Sequence, residues 1–114
     1  MAKIDFKKQG LFNLNGQQIK RIDLDENKQE IEIPIYLDEI VNGNLTREDA
    51  TCTATERFSR FLLAEKIKKA DGEVDLTIEE LGVIKKVVGE NPNPLIIGRV
   101  WSFIESETGS KTEK

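Results

Sequence analysis

The chain has no histidine, one cysteine, one tryptophan, one tyrosine and three prolines in 114 residues. Without histidine it lacks the commonest general base and the commonest zinc ligand. A Ser-His-Asp or Cys-His mechanism cannot be assembled from this chain alone. The lone Cys52 can close no intrachain disulfide, which fits a reducing compartment and leads us to expect a cytoplasmic protein. No run approaches the ~18 apolar residues of a spanning helix. Met1 to Gly10 lacks the apolar centre of a secretory signal, so no membrane partner is expected. A basic excess is missing too: the formal charge is −4, whereas phosphate binding draws on clustered Lys and Arg.

What is present is a lean apolar fraction of 38% beside 33% charged residues. The length suits a single domain that holds a core without staples. The core must then be concentrated in a few segments, and Phe58, Phe61, Trp101 and Phe103 point to the second half.

Met1 to Gly10 is polar and reads as a flexible arm, with one globular domain over 11–105 and a disordered Ser/Thr/Lys/Glu-rich tail over 106–114. Asn15-Gly16 between Leu11–Leu14 and Gln17–Ile22 predicts a hairpin with a type I′ turn, in which both residues take positive φ. Asp23 to Lys28 is a charged turn, and Gln29 to Ile33 suggests a third short strand that Pro34 ends or confines to an edge. Ile35 to Val41 suits either a short helix opened by Pro34 or an extended segment, and Asn42-Gly43-Asn44 is expected to end it. The polar stretch Leu45–Thr53 carries no clear period.

Ala54 to Lys69 has helical spacing, with Phe58, Phe61 and Leu62 as its apolar stripe and Gly72 as a left-handed cap beyond it. Glu73 to Asp75 is an extended link. Thr77 and Glu80 match a capping box that opens a helix burying Leu81, Ile84, Val87 and Val88. Gly82 weakens that helix and suggests a close backbone approach, and Gly89 is its C-cap candidate. Asn93-Pro94 starts a last helix, with Ile97, Val100, Trp101 and Ile104 on one face and Ile96 and Phe103 widening it.

Five features are candidates for chemistry. Arg57, Arg60, Lys66, Lys68 and Lys69 share a helix and could meet phosphates, although the interleaved Glu56 and Glu65 suit a solvated, ion-paired face better. Asp23, Asp25 and Asn27 imitate the opening of a calcium loop, but Lys28 and Pro34 stand where Gly and a bidentate Glu are required. A solvated turn is the plainer reading. Arg99 is an isolated charge in the last helix; a solvent-facing place is favoured over an ion pair or stacking on Trp101. Cys52 reads as a small, partly buried thiol rather than a nucleophile. Glu79 and Glu80 point about 100° apart, so they share no acid–base site and simply stabilise the helix start.

Two segments together resemble a group of small phage and prophage proteins. Leu14-Asn15-Gly16-Gln17-Gln18-Ile19-Lys20 is similar to their N-terminal N-L-D-G-x-x-I-K segment, with Asn15 in place of the usual Asp. Val74-Asp75-Leu76-Thr77 through Ile84-Lys85-Lys86-Val87-Val88-Gly89, then Pro94 to Trp101, is similar to their C-terminal helix pair. The likeness covers about half the chain, includes no catalytic motif, and does not extend to Asp23–Thr53. It implies a protein without a well-defined activity, encoded among phage structural and assembly genes, and an assembly role with head or tail components as partners; the lack of catalytic residues adds the expectation that it is not an enzyme.

The fold expected is α+β: an N-terminal hairpin of two or three short strands packed on about three main helices. The expected core is Phe58, Phe61, Leu62, Leu81, Ile84, Val88, Ile97, Val100, Trp101 and Ile104. The function expected is protein–protein interaction without a cofactor, through Ile96, Arg99, Trp101 and Phe103, with homo-oligomers compatible. A nucleic-acid regulator using Arg57, Arg60, Lys66 and Lys69, and a divalent-metal protein using Asp23, Asp25 and Asn27, are the alternatives.

Overall fold

A computed structural model describes residues 2–108 of the chain. The order is β1 (Ala2–Ile4), a 3-10 turn (Phe6–Lys8), β2 (Lys20–Leu24), β3 (Glu30–Pro34), α1 (Leu37–Leu45), α2 (Ala54–Lys69), β4 (Val74–Leu76), α3 (Ile78–Gly89) and α4 (Pro94–Thr108). The fold is α+β, with two small antiparallel sheets and four α-helices among the described residues.

The expected arm is part of the core. β1 pairs with β4 from Ala2 opposite Leu76 to Ile4 opposite Val74. Ile4 and Phe6 are fully enclosed, and the Phe6 ring lies 5.8 Å from that of Phe103. Lys7 then caps the end of α2, its ammonium donating to the Lys68 and Ala70 carbonyls. Alternating Ile4 and Phe6 around charged neighbours hid this burial, because the segment is too short to show a period. At the other end α4 runs through Ser106 to Thr108, and the rest of the expected tail lies outside the described residues.

Two hairpins follow, with one turn geometry. In the first, Phe12 bridges Gln18 and the Asn13 N–H donates to Gln17 O. The turn is not type I′: Gly16 has φ +83° and Asn15 is not in the positive region. Gly16 N–H donates to Asn13 O, a type I turn closed by one left-handed residue. The Asn13 side-chain oxygen fixes this shape by accepting from the Asn15 and Gln17 amides at 2.9 and 3.0 Å. The second hairpin repeats it: Asp25 accepts from the Asn27 and Gln29 amides at 2.8 and 2.9 Å, and Lys28 takes φ +62° where Gly would sit more easily. β2 and β3 form the ladder above it, in register from Lys20–Pro34 to Leu24–Glu30.

Leu37, Val41 and Leu45 recur one turn apart and bury one face of α1. That burial carries the helix through Asn42-Gly43-Asn44, which were expected to stop it. Asn44 adapts by donating to Ile40 O and accepting from the Asn91 side chain, so its amide is buried with partners.

α2 has the expected limits but the opposite face inward. Arg60, Leu63, Ala64 and Ile67 are buried, while Phe58, Phe61 and Leu62 are 58, 51 and 46% exposed. Both sets have helical spacing. Arg60 disguised the buried one, and it can go inside because Asp49 meets its guanidinium at 3.4 Å. α2 ends at Ala70; Gly72 is left-handed with φ +109°, in the turn into β4 rather than as a cap.

The α3–α4 pair forms as expected. Thr77 and Glu80 make both bonds of the capping box, and Asn93 accepts from the Leu95 amide at 3.0 Å. Ile84, Val87, Val88, Val100, Phe103 and Ile104 are buried. Leu81 and Ile97 are only partly so, and Trp101 remains 36% exposed. The close approach is at Gly89, not Gly82: a Cβ on Gly89 would meet Trp101 Cζ2 at 3.1 Å, while one on Gly82 would meet nothing within 4 Å. Gly89 is the last residue of α3, and Glu90 caps it. Among the described residues, no helix is long and apolar enough to cross a membrane.

Candidate partner-binding surface

The loop before α2 explains why that helix presents its outer face so firmly. Thr53 and Glu56 form a second capping box. Asp49 gathers the loop: its carboxylate accepts from the Thr51 amide, the Thr51 hydroxyl, the Cys52 thiol and Arg60. The Thr51 hydroxyl first, then the Thr51 amide and the Cys52 thiol, hold the Asp49 carboxyl far below the usual carboxylate range. Burial, and then the bond to Asp49, push the Cys52 thiol up, which favours the thiol over the nucleophilic thiolate. Arg57 donates to the Asp49 and Cys52 carbonyls at 3.1 and 2.6 Å and closes the loop onto the helix.

Above this loop Phe58 and Phe61 stack, with centroids 6.4 Å apart and an interplanar angle of 20°. Leu62 continues the ridge. Phe61 rims a groove of about 240 Å³ bounded by Leu45, Thr46, Arg47 and Glu48. Leu62 rims another of about 380 Å³ on the opposite side, lined also by Leu63, Lys66, Glu79, Glu80 and Val83. Within it Lys66 lies 3.0 Å from Glu80. Burial alone would raise the Glu80 carboxyl, but its bond from the Thr77 amide and the nearby Lys66 ammonium outweigh this and lower it. The surface is thus an apolar ridge between two grooves, with an ion pair in one.

The residues expected at the binding face are not brought together. Phe103 is core, and Ile96 packs against the core. Arg99 neither faces solvent freely nor stacks on Trp101: it donates to Phe12 O at 2.8 Å and Asn13 O at 2.6 Å, clamping the first hairpin to α4. Trp101 donates to Lys85 O at 3.2 Å, and the Lys85 ammonium sits 5.5 Å over its ring. The basic residues of α2 are dispersed: Arg60 is buried, Arg57 closes the loop, Lys66 pairs with Glu80 and Lys69 with Glu65. Asp25 spends its carboxylate on turn amides, and among the described residues no cluster of acids or thiols could hold a metal ion. Helical spacing predicts the Phe58–Phe61–Leu62 stripe as a buried face; the structure turns it outward. Its true signal was the rival stripe containing Ala64, whose small side chain suits helix contact.

No protein-family model, curated protein or solved structure matches this chain.

Proposed function

We propose that this is a small, non-catalytic interaction protein that docks a protein partner on the outer face of α2, in the cytoplasm and in phage or prophage particle assembly. The observation that carries the reading is the exposure of three adjacent large apolar side chains, Phe58, Phe61 and Leu62. Full burial of each such side chain is worth ~1.5–3 kcal/mol, and about half of each is still exposed, so roughly half of that remains for a partner covering the ridge. Contiguous exposed apolar surface of this kind marks interaction sites. The grooves on either side suit the knobs of a partner helix, the helix-in-groove mode of recognition. The assembly role rests on the resemblance of the Leu14–Lys20 and Val74–Trp101 segments to small phage proteins.

A binding titration against head and tail proteins encoded beside the gene tests this. Phe61→Ser and Leu62→Ser should abolish binding while leaving the melting temperature within a few degrees of the parent. Undiminished binding by both variants would remove α2 as the docking face. Nucleic-acid binding has weaker support, because Arg57, Arg60, Lys66 and Lys69 already have partners within the chain.

A further inference from the structure

The β2–β3 ribbon stands away from the core with two unequal edges. All five residues of β2 are exposed, as are Glu30, Ile31 and Glu32 of β3. Two-stranded ribbons are marginal in water, and this one leaves Ile22 and Leu24 60 and 58% exposed.

The ladder decides which backbone groups are free. Asp25 N–H donates to Gln29 O at its tip and Ile35 N–H donates to Ile19 O at its base, both at 3.0 Å. With the observed register, Arg21–Ile33 and Asp23–Ile31 are then the pairs that exchange hydrogen bonds. Lys20, Ile22 and Leu24 turn their amides and carbonyls outward along β2; Glu30, Glu32 and Pro34 do so along β3. The β3 edge is guarded, since Pro34 has no N–H and the other two outward positions, Glu30 and Glu32, are acids. The outward row of β2 has no proline and one charge, Lys20, which pairs with Glu32 across the ladder at 3.6 Å.

We propose that β2 pairs antiparallel with β2 of a second copy of this chain, about a two-fold axis at Ile22, giving a four-stranded sheet in the order β3–β2–β2–β3. Only residues whose groups point outward can bond across this edge, and an axis at Ile22 satisfies that condition throughout. Ile22 faces Ile22, and Lys20 faces Leu24 of the second copy. Between them Arg21 falls opposite Asp23, and by symmetry Asp23 opposite Arg21, in non-hydrogen-bonded positions where side chains come closest. The strand is therefore complementary in charge to its own reverse. On the other face of the sheet, Ile22 and Leu24 of both copies form one apolar strip. Leu24 N–H, which in the single chain turns back to Asp23 Oδ1 at 2.8 Å, passes to the second copy. Arg21 already meets Glu39 of α1, so its guanidinium would lie between two carboxylates. The same device on β3 would set Glu32 against Glu32, which like-charge repulsion disfavours. This pairing is independent of the α2 docking surface and goes beyond it.

Sedimentation equilibrium on the full chain, from micromolar to millimolar, tests the pairing. The mass should rise with concentration from the 12.9 kDa of one chain toward twice that value. Arg21→Asp alone sets acid against acid, and Asp23→Arg alone sets base against base. Each should raise the dimer dissociation constant about tenfold or more. An equimolar mixture of the two variants restores both opposite-charge pairs and should dimerise as the parent does. Ile22→Pro removes an outward amide without touching the β2–β3 ladder and should give a monomer with an unchanged helical circular dichroism spectrum. A parent that stays monomeric at millimolar concentration would overturn the proposal. So would single variants that dimerise like the parent, or a mixture no tighter than its components.

Discussion

Replacing Arg99 by Met probes how the hairpin layer is attached to the helices. Arg99 reaches from α4 to Phe12 O at 2.8 Å and Asn13 O at 2.6 Å. Those carbonyls lie in the arm that carries the first turn, where Asn13 also organises the Asn15 and Gln17 amides. Met keeps the aliphatic stem and its packing but removes both donors. A hydrogen bond from a charged group is worth ~1.5–3 kcal/mol. The two bonds share one guanidinium in a partly exposed place, so their loss falls short of the doubled figure, at ~2–3 kcal/mol. At roughly 4 °C per kcal/mol for a domain of this size, the melting temperature should drop about 8–12 °C. Urea denaturation followed by Trp101 fluorescence gives the free energy directly. Hydrogen exchange at the Gly16 and Gln17 amides should accelerate more than exchange in α3. Arg99→Lys, which cannot form the fork, should fall between the parent and Met. A loss within ~0.5 kcal/mol, the range of an unconstrained surface substitution, would refute the clamp.

Other substitutions separate the faces of the helices. Ile84→Ala should cost ~2–5 kcal/mol as a core truncation, whereas Phe61→Ala should cost under ~1 kcal/mol, because half of that side chain is already in water; equal losses in denaturant titrations would contradict the orientation of α2. Gly82→Ala should stabilise by ~0.5–1 kcal/mol. Gly89→Ala should gain nothing and should shift the Trp101 emission, because its Cβ would press on Trp101 at 3.1 Å. Asp49 supplies a pH test. Its carboxyl is depressed in the folded chain relative to the ordinary ~3.9. Its contribution is therefore fully present above about pH 4 and drains away as pH falls below that. Asp49→Asn should be less stable than the parent at neutral pH and show a flatter acid limb in melting curves; an unchanged limb would show that the Thr51, Cys52 and Arg60 contacts contribute little.

Local chemistry was the legible part of this fold. The capping box of Thr77 and Glu80, the Asn93-Pro94 start, the limits of α2 and the third strand all follow from residues within one turn of each other. What depended on distant partners was not legible. By its residue type Arg60 reads as a surface charge; Asp49, distant in sequence, is what allows it inside and turns α2 over. Arg99 looked solvent-facing because the carbonyls it holds are 86 and 87 residues away. Asn42-Gly43-Asn44 has the composition of a stop, but the burial of Val41 and Leu45 against the other helices outweighs propensity. The N-terminal strand needed β4 to become one. The Phe58–Phe61–Leu62 face follows the same rule: helical spacing makes it a stripe, and contacts distant in sequence decide that it lies outward.

Site-specific photo-crosslinking tests the role of α2 most directly. A photoreactive residue would replace Phe58, Phe61 or Leu62 in turn, and Lys28 or Ser102 as remote controls, in cells that express phage head and tail proteins. We expect one discrete adduct with the same protein from the three α2 positions and none from the controls. Adducts of equal yield from every position, or none from α2, would contradict the assignment of this face as the docking surface.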